Sequence, residues 1–350
     1  MLSKKRRLEL EKKIKYKLNG GPKGWKKILR RNRYIFSLIA KVRMFYSRYI
    51  SSMQLRNRFL ANKELFFLNE EQKEHVSSLQ RDGITILENY FSEDYIDSIQ
   101  KKLDKNVKDL KIQDSSYHIS HGRIDTLRGL TYEEIEFIED SVAISNPYQE
   151  IEELVDIAFH ENFLKIITNY LGFIPLHQAG AQRAFPHYPP IESSFFHKDA
   201  DDHDVLHIFV YLVDVDEKTG PFCYIPGSHT NDPRSFGPRT NYDLGIEEDY
   251  GRISDKEVEK YYQKSEWLPI KAKRGSVVIT HVNGLHKGPM WGDFGAENKT
   301  RDIINVNFRG MTPRIPVTAH SIKISEKSVK DFSPLQKLFL EPNYEVVQNY

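Results

Sequence analysis

The chain has 350 residues, 39% of them hydrophobic, with 20 Phe, 19 Tyr and one cysteine, Cys223. That length buries a sizeable core and suits one large β-rich domain with helical additions. A lone cysteine excludes a disulfide framework and any cysteine-based zinc cluster, reads as a small buried apolar residue, and fits a reducing compartment. The net charge of +2 is unevenly spread: residues 1–48 hold 17 Lys or Arg against two Glu, a net of +15, which leaves −13 for the rest.

Residues 1–70 read as a basic N-terminal extension, helical or partly disordered, broken at Gly20-Gly21-Pro22. Its second piece, Trp25 to Ile50, has the pattern of a basic amphipathic helix suited to an anionic membrane surface, a lipid-linked partner or a polyanion. A merely solvated arm is the competing reading, and both stay open. Nucleic acid is disfavoured: the body is acidic, and no helix-turn-helix spacing, zinc finger or RNP-type motif is present. The apolar run Tyr34–Ala40 is too short to span a membrane, and no small-residue cleavage site of a secretory signal follows it. The expectation is a cytoplasmic protein, peripheral to a membrane at most.

Gln72–Leu79 reads as a short helix and Gly83–Leu87 as a strand. Ser92 can cap the next helix, with Glu93 and Asp94 in its first turn and an apolar stripe at Ile96, Ile99, Leu103 and Val107. Tyr148–Tyr170 reads as one helical region ending at a C-cap glycine, Gly172. From Ile174 the pattern becomes short extended runs: Leu176–Phe185, Ser193–His197, Val205–Val213, Phe222–Ile225, Trp267–Ile270, Val277–His281 and Ile303–Phe308. Such a block predicts a sandwich or barrel. The polar stretch 231–263 reads as an insertion and candidate lid. The domain is expected over 71–320, with a C-terminal tail over 321–350.

The chemistry centres on Phe195-Phe196-His197-Lys198-Asp199. On a strand, residues i and i+2 share a face, so His197 and Asp199 can aim an imidazole and a carboxylate at one point. With a distant third histidine they would form the two-histidine, one-carboxylate set of non-haem iron(II) oxygenases. His281 and His286 both follow in Lys273–Gly288. Arg301, opening the run to Phe308, supplies a fork for a carboxylate.

Several of these pieces together resemble the phytanoyl-CoA dioxygenase family. They are Gly83–Leu103, Glu153–Gly172, His197-Lys198-Asp199, the segment Gly220-Pro221-Phe222-Cys223-Tyr224-Ile225-Pro226-Gly227-Ser228-His229, Gly275–Val278 with Leu285-His286, and Arg301. The resemblance covers about Gln80 to Thr312. It implies a mainly β fold with flanking helices and a double-stranded β-helix (jelly-roll) core. It further implies iron(II) on His197, Asp199 and His286, and 2-oxoglutarate held by Arg301 and converted with O2 to succinate and CO2. Hydroxylation of a small-molecule, lipid-linked or glycan substrate is the outcome it favours. Desaturation, epimerisation or cyclisation with the same cofactors, or a catalytically silent binding protein, are the alternatives. Halogenating relatives carry a small residue where this chain has Asp199. The gap from His286 to Arg301 is long for the family, with Gly288–Asn298 as an insertion, Arg309 as the fallback arginine, and Gly288 where a small hydroxyl residue is common. Of Gln182 and Arg183 only one can face inward, and Gln182 is the candidate contact to 2-oxoglutarate or substrate. His203 and His207 are candidate substrate contacts. His118 and His121, with Arg123 and Arg128, are candidates for the site mouth, while His229 is structural.

Overall fold

The computed structural model describes residues 53–112, 127, 129–186, 194–199, 204–230, 232–239, 251–288, 298–310, 322–341 and 344–348. Most of the basic arm, residues 187–193, residues 240–250 of the candidate lid and 289–297 of the insertion lie outside the described residues. So do His118, His121, Arg123, Arg128 and His203.

Local signals place the helices. Asn69 and Gln72 form a reciprocal capping box that starts the helix Glu70–Asp82, and Gly83 ends it at φ 77°. The Ser92 hydroxyl accepts the Tyr95 amide to start Glu93–Lys108, with Glu93 and Asp94 in its first turn. The helical region expected over Tyr148–Tyr170 is built of three helices, Pro147–Glu150, Glu153–Ala158 and Glu161–Leu171, the last closed by Gly172 at φ 73°. The chain turns at Ile151 and again at Phe159–His160, where buried Ile151 and Phe159 leave the helical stripe to fill the core.

The strands are β1 (Ile84–Leu87), β2 (Ser141–Ala143), β3 (Leu176–Ala184), β4 (Leu206–Tyr211), β5 (Phe222–Tyr224), β6 (Leu268–Ile270), β7 (Val277–His281), β8 (His286–Lys287), β9 (Arg301–Arg309), β10 (Ile322–Ser325) and β11 (Tyr344–Val347). They make a six-stranded sheet in the order β1-β7-β4-β9-β3-β2 and a three-stranded sheet β6-β5-β8, antiparallel throughout. A parallel pair, β10 and β11, lies beyond them.

Both faces of the large sheet are covered, which is why β4 and β7 read as nearly continuous apolar runs. One face, with Ile208, Val210, Ile279, Ile304, Val306 and Phe308, packs on the helices in the main core. The other face, with Phe209, Tyr211, Val278 and Ile303, packs on Phe222, Tyr224 and Ile270 of the small sheet. Each fully buried Leu, Ile or Phe contributes roughly 1.5–3 kcal/mol. The two facing sheets are the double-stranded β-helix core, and the space between them is the barrel interior. The C-terminal stretch seals one edge: Phe332, Leu335 and Phe339 are buried, and the Tyr344 hydroxyl donates to the His177 carbonyl at 3.0 Å. Among the described residues no helix is long and apolar enough to cross a membrane.

Candidate metal centre

The stretch expected as a strand at Ser193–His197 instead makes isolated bridges, because its two neighbours each pair with a single residue. His197 pairs with His286 and Phe196 with Ile253. The His197 amide donates to the His286 carbonyl at 2.8 Å, and the return bond is 3.0 Å. Asp199 is tied down by its own amide, which donates to Val282 O at 2.9 Å, and by the Asn283 side chain donating to its carbonyl at 3.0 Å.

These anchors bring His197, Asp199 and His286 together, with one ligand atom from each lying within 4.8 Å of the others. The His197 Nε2 is 3.7 Å and the His286 Nε2 4.0 Å from Asp199 carboxylate oxygens. In each histidine Nδ1 lies against the carbonyl two residues earlier, Phe195 O at 2.8 Å and Gly284 O at 2.9 Å. A carbonyl only accepts, so Nδ1 carries the proton and Nε2 offers its lone pair. Burial holds both imidazoles below their ordinary range, His197 well below it, which keeps them neutral and ready to ligate. Two imidazole nitrogens and one carboxylate gathered at one point suit iron(II) and leave coordination positions for others.

The long signature segment buttresses this centre. Gly227, at φ 76°, turns the chain so that its amide meets Asp82 O at 2.8 Å. The Ser228 hydroxyl donates to Ile225 O at 2.6 Å and accepts the Leu285 amide at 2.8 Å, clamping the segment to the residue before His286. Gly284 must be glycine, because a Cβ there would collide with the Tyr224 hydroxyl, itself bonded to His281 O at 3.0 Å. Cys223 is wholly buried, as expected, and burial pushes its thiol up to about 12.

His281 is excluded by alternation. It pairs with Leu206, on the helix side of the sheet, and lies beside Tyr170 and His229. Its neighbour Thr280 pairs with His207 and faces the interior.

Arg301 is the first residue of β9 and is 6% exposed. Its Nη1 donates to Gly220 O at 2.7 Å, while its Nε is buried without a hydrogen-bond partner. No carboxylate pairs with it among the described residues, and burial pulls the guanidinium below its ordinary value. A Cβ on Gly288, two residues after His286, would come 3.5 Å from Arg301 Nη2, so the arginine lies close to the metal-site strand. A buried cation with an unused donor fits the distal carboxylate of 2-oxoglutarate. Arg309 shares this face but lies at the far end of β9, roughly 26 Å along the strand at about 3.3 Å per residue, opposite Leu176.

Sequence reasoning did not single out Tyr211. Its hydroxyl is buried and unpartnered, close enough to Arg301 for a favourable electrostatic interaction, and burial pushes it up to about 12. The signal was there: inward alternation along Val205–Val213 marks His207, Phe209 and Tyr211 together. Gln182 faces inward in one cross-strand row with Ile303 and Tyr211. Arg183 points the other way and pairs with Asp302 at 2.8 and 2.6 Å. His207 lies within electrostatic reach of Asp199 and His286. His229 packs against His281, away from the centre.

Residues 251–263 of the candidate lid clasp the ligand-bearing segments. The Ile253 amide donates to Phe196 O at 2.8 Å. Asp255 receives both bonds of the buried Lys287 ammonium at 2.7 Å, and that ammonium lies 4.8 Å from the Phe196 ring and 5.2 Å from the Trp267 ring.

A double-stranded β-helix with two histidines and a carboxylate gathered inside it defines the class of non-haem iron oxygenases. The family model described as "Phytanoyl-CoA dioxygenase (PhyH)" matches residues 79–290, more than half of the chain. The chain therefore belongs to the phytanoyl-CoA dioxygenase family, and with it to the iron(II)- and 2-oxoglutarate-dependent oxygenases. No curated protein matches it. Solved structures similar to it include the non-heme alpha ketoglutarate dependent carbocyclase SnoK from nogalamycin biosynthesis, at 14% identity and TM-score 0.46, over 77% of this chain and 93% of that one. EvdO2 from Micromonospora carbonacea var. aurantiaca is 15% identical, with TM-score 0.46, over 71% and 95%. EctD from S. alaskensis, solved with 2-oxoglutarate and 5-hydroxyectoine, is 15% identical, with TM-score 0.44, over 69% and 76%.

Proposed function

We propose that His197, Asp199 and His286 bind iron(II), that Arg301 holds the distal carboxylate of 2-oxoglutarate with help from Tyr211, and that Gln182 faces the same cosubstrate or the substrate beside it. The protein then hydroxylates an unactivated carbon of a small organic substrate. The balance is substrate C–H plus 2-oxoglutarate plus O2 giving substrate C–OH plus succinate plus CO2. When bound, iron supplies the oxidising chemistry. The chain's own residues do the rest: two neutral imidazoles and a carboxylate fix the metal on one side, the buried guanidinium orients the cosubstrate, and the apolar wall of Phe209, Phe222 and Ile303 excludes water.

The single observation that carries this reading is the convergence of three ligand atoms within 4.8 Å beside a buried arginine whose Nε lacks a partner. Retention of Asp199 favours oxygen transfer over halogenation, since the carboxylate fills the place a halide would need. The basic arm supports peripheral contact with an anionic membrane surface. Unchanged binding to anionic vesicles after removal of residues 1–52 would end that part of the proposal.

The test is an anaerobic titration with iron(II) and then 2-oxoglutarate, followed by the visible metal-to-ligand charge-transfer band and, in air, by succinate release. A band that is lost in His286→Ala and weakened in Arg301→Ala is expected. A folded parent giving no band would favour a silent binding protein. Product mass separates hydroxylation, which adds one oxygen, from desaturation, which removes two hydrogens.

A further inference from the structure

The inner face of the large sheet changes character along its length. At the Arg301 end it is closed: Tyr211 and Ile303 are 1% and 2% exposed. Toward the other end, solvent reaches alternate residues while those between them stay buried, giving Gln178 and Gly180 on β3 and Asn305 and Asn307 on β9. On β4 the solvent-reached residue is His207.

The register assembles these into one patch. His207 pairs with Asn307, which pairs with Gln178, and Asn305 pairs with Gly180. Thr280 extends the first row on the other side of His207. His207 interacts electrostatically with both Asp199 and His286, so the patch adjoins the metal centre. Its polar atoms are not used up by the fold. The side-chain oxygens of Asn305 and Thr280 are buried without a hydrogen-bond partner, Thr280 is 0% exposed, and Asn307 faces His207 within hydrogen-bonding reach. Polar side chains in a packed barrel are costly unless something meets them.

A fatty chain lying on this patch would strip water from the amides and return nothing, at roughly 1–3 kcal/mol per stranded group. Amides and an imidazole each present donors and acceptors, the complement of hydroxyl groups, which are also both. Among the described residues on the inner face of β3, β4 and β9, the cation beyond Arg301 is Arg309, at the outer end, so the centre of the patch offers a neutral surface. We infer that the substrate presents a hydroxyl-rich, uncharged ring of the sugar type to His207, Asn305 and Asn307, with a ring carbon directed at the metal. This rests on the oxygenase reading above and names its substrate class.

The test uses the full chain, loaded anaerobically with iron(II) and 2-oxoglutarate. Two probe sets are compared by saturation-transfer NMR: a panel of methyl hexopyranosides, and octanoyl and decanoyl thioesters of N-acetylcysteamine. Glycosides should give transfer, and Asn305→Leu and Asn307→Leu, each checked for folding by its thermal melt, should weaken it at least tenfold. Transfer to the acyl probes instead, transfer to neither set, or glycoside signals undiminished in both variants would each overturn the inference. A parent that binds glycosides but gives no charge-transfer band leaves the patch assigned and sinks the iron reading. A parent that gives the band without binding glycosides does the reverse.

Discussion

His197 and His286 exchange both of their backbone hydrogen bonds, at 2.8 and 3.0 Å, and their ring centroids stand 4.3 Å apart. The same pair of peptide units therefore sets the spacing of both rings, and the side chains do not hold the bridge together. Removing one ring should cost metal affinity without undoing the fold. His286→Ala is expected to lower iron(II) affinity by more than about 100-fold, near 3 kcal/mol at 1.4 kcal/mol per tenfold, with a circular dichroism spectrum like the parent's. His281→Ala, on the opposite face, should bind iron as the parent does. Anaerobic iron binding by calorimetry decides, and equal losses in the two variants would reassign the ligand.

Arg301 is buried and forked, so Arg301→Lys keeps the charge but loses the two-pronged geometry. An affinity for 2-oxoglutarate reduced by about 10- to 100-fold is expected, equivalent to about 1.4–2.7 kcal/mol. Tyr211→Phe should cost a few-fold, about what one ordinary hydrogen bond contributes net, near 1 kcal/mol. The readout is the midpoint of the charge-transfer band against 2-oxoglutarate concentration. Unaltered midpoints in both variants would move the carboxylate elsewhere.

Behind the sheet, Arg183 forks onto Asp302, which is 1% exposed and also accepts the Gln100 amide at 2.6 Å. Asp302→Ala leaves the buried Arg183 guanidinium with Asp104 as its remaining carboxylate partner and should destabilise the protein by up to about 3–5 kcal/mol. The double variant Arg183→Met/Asp302→Leu should regain more than half of that loss, because a buried pair costs much of its attraction in desolvation. Urea unfolding of the three proteins measures this. A double variant no better than the single one would mean that the pair itself stabilises the fold.

His177 is packed among Phe159, Phe308 and Tyr344, and burial pulls its imidazole down to about 3 from 6.5. It takes up a proton on unfolding, not in the fold. Between pH 6.5 and about 3 the unfolded chain binds more protons, so stability is full above pH 6.5 and falls as the pH drops below it. At pH 5 this one residue costs about 2 kcal/mol relative to pH 8. His229, lowered to about 4, acts in the same direction. His177→Leu should shrink the gap between urea midpoints at pH 8 and pH 5. A gap of the parent's size would place the acid sensitivity elsewhere.

Much was legible in the sequence because the signals are local. Ser92 with Glu93, and glycines at 83 and 172, fix helix ends through bonds to residues three or four away. Two-residue alternation is a property of any extended chain, so the shared face of Gln182, Ile303 and Tyr211 was implicit once β3, β4 and β9 were found. The pairing of His197 with Asp199 needed only their spacing. Which later histidine joins them did not follow from spacing: His281 and His286 are five residues apart, and only the pairing of β7 with β4 turns the first toward the helices.

The sequence by itself determined the strand and helix periods, the acidic body with its basic arm, and a set of candidate ligands, since each is written in neighbouring residues. Tertiary structure decided which candidates meet. The bridge between residues 197 and 286, the loss of partners around Arg301 and Tyr211, and the polar row from Thr280 through His207 to Gln178 all join residues dozens of positions apart. Their proximity depends on how the two sheets close, and closure is set by the packing of the whole core and not by any short segment.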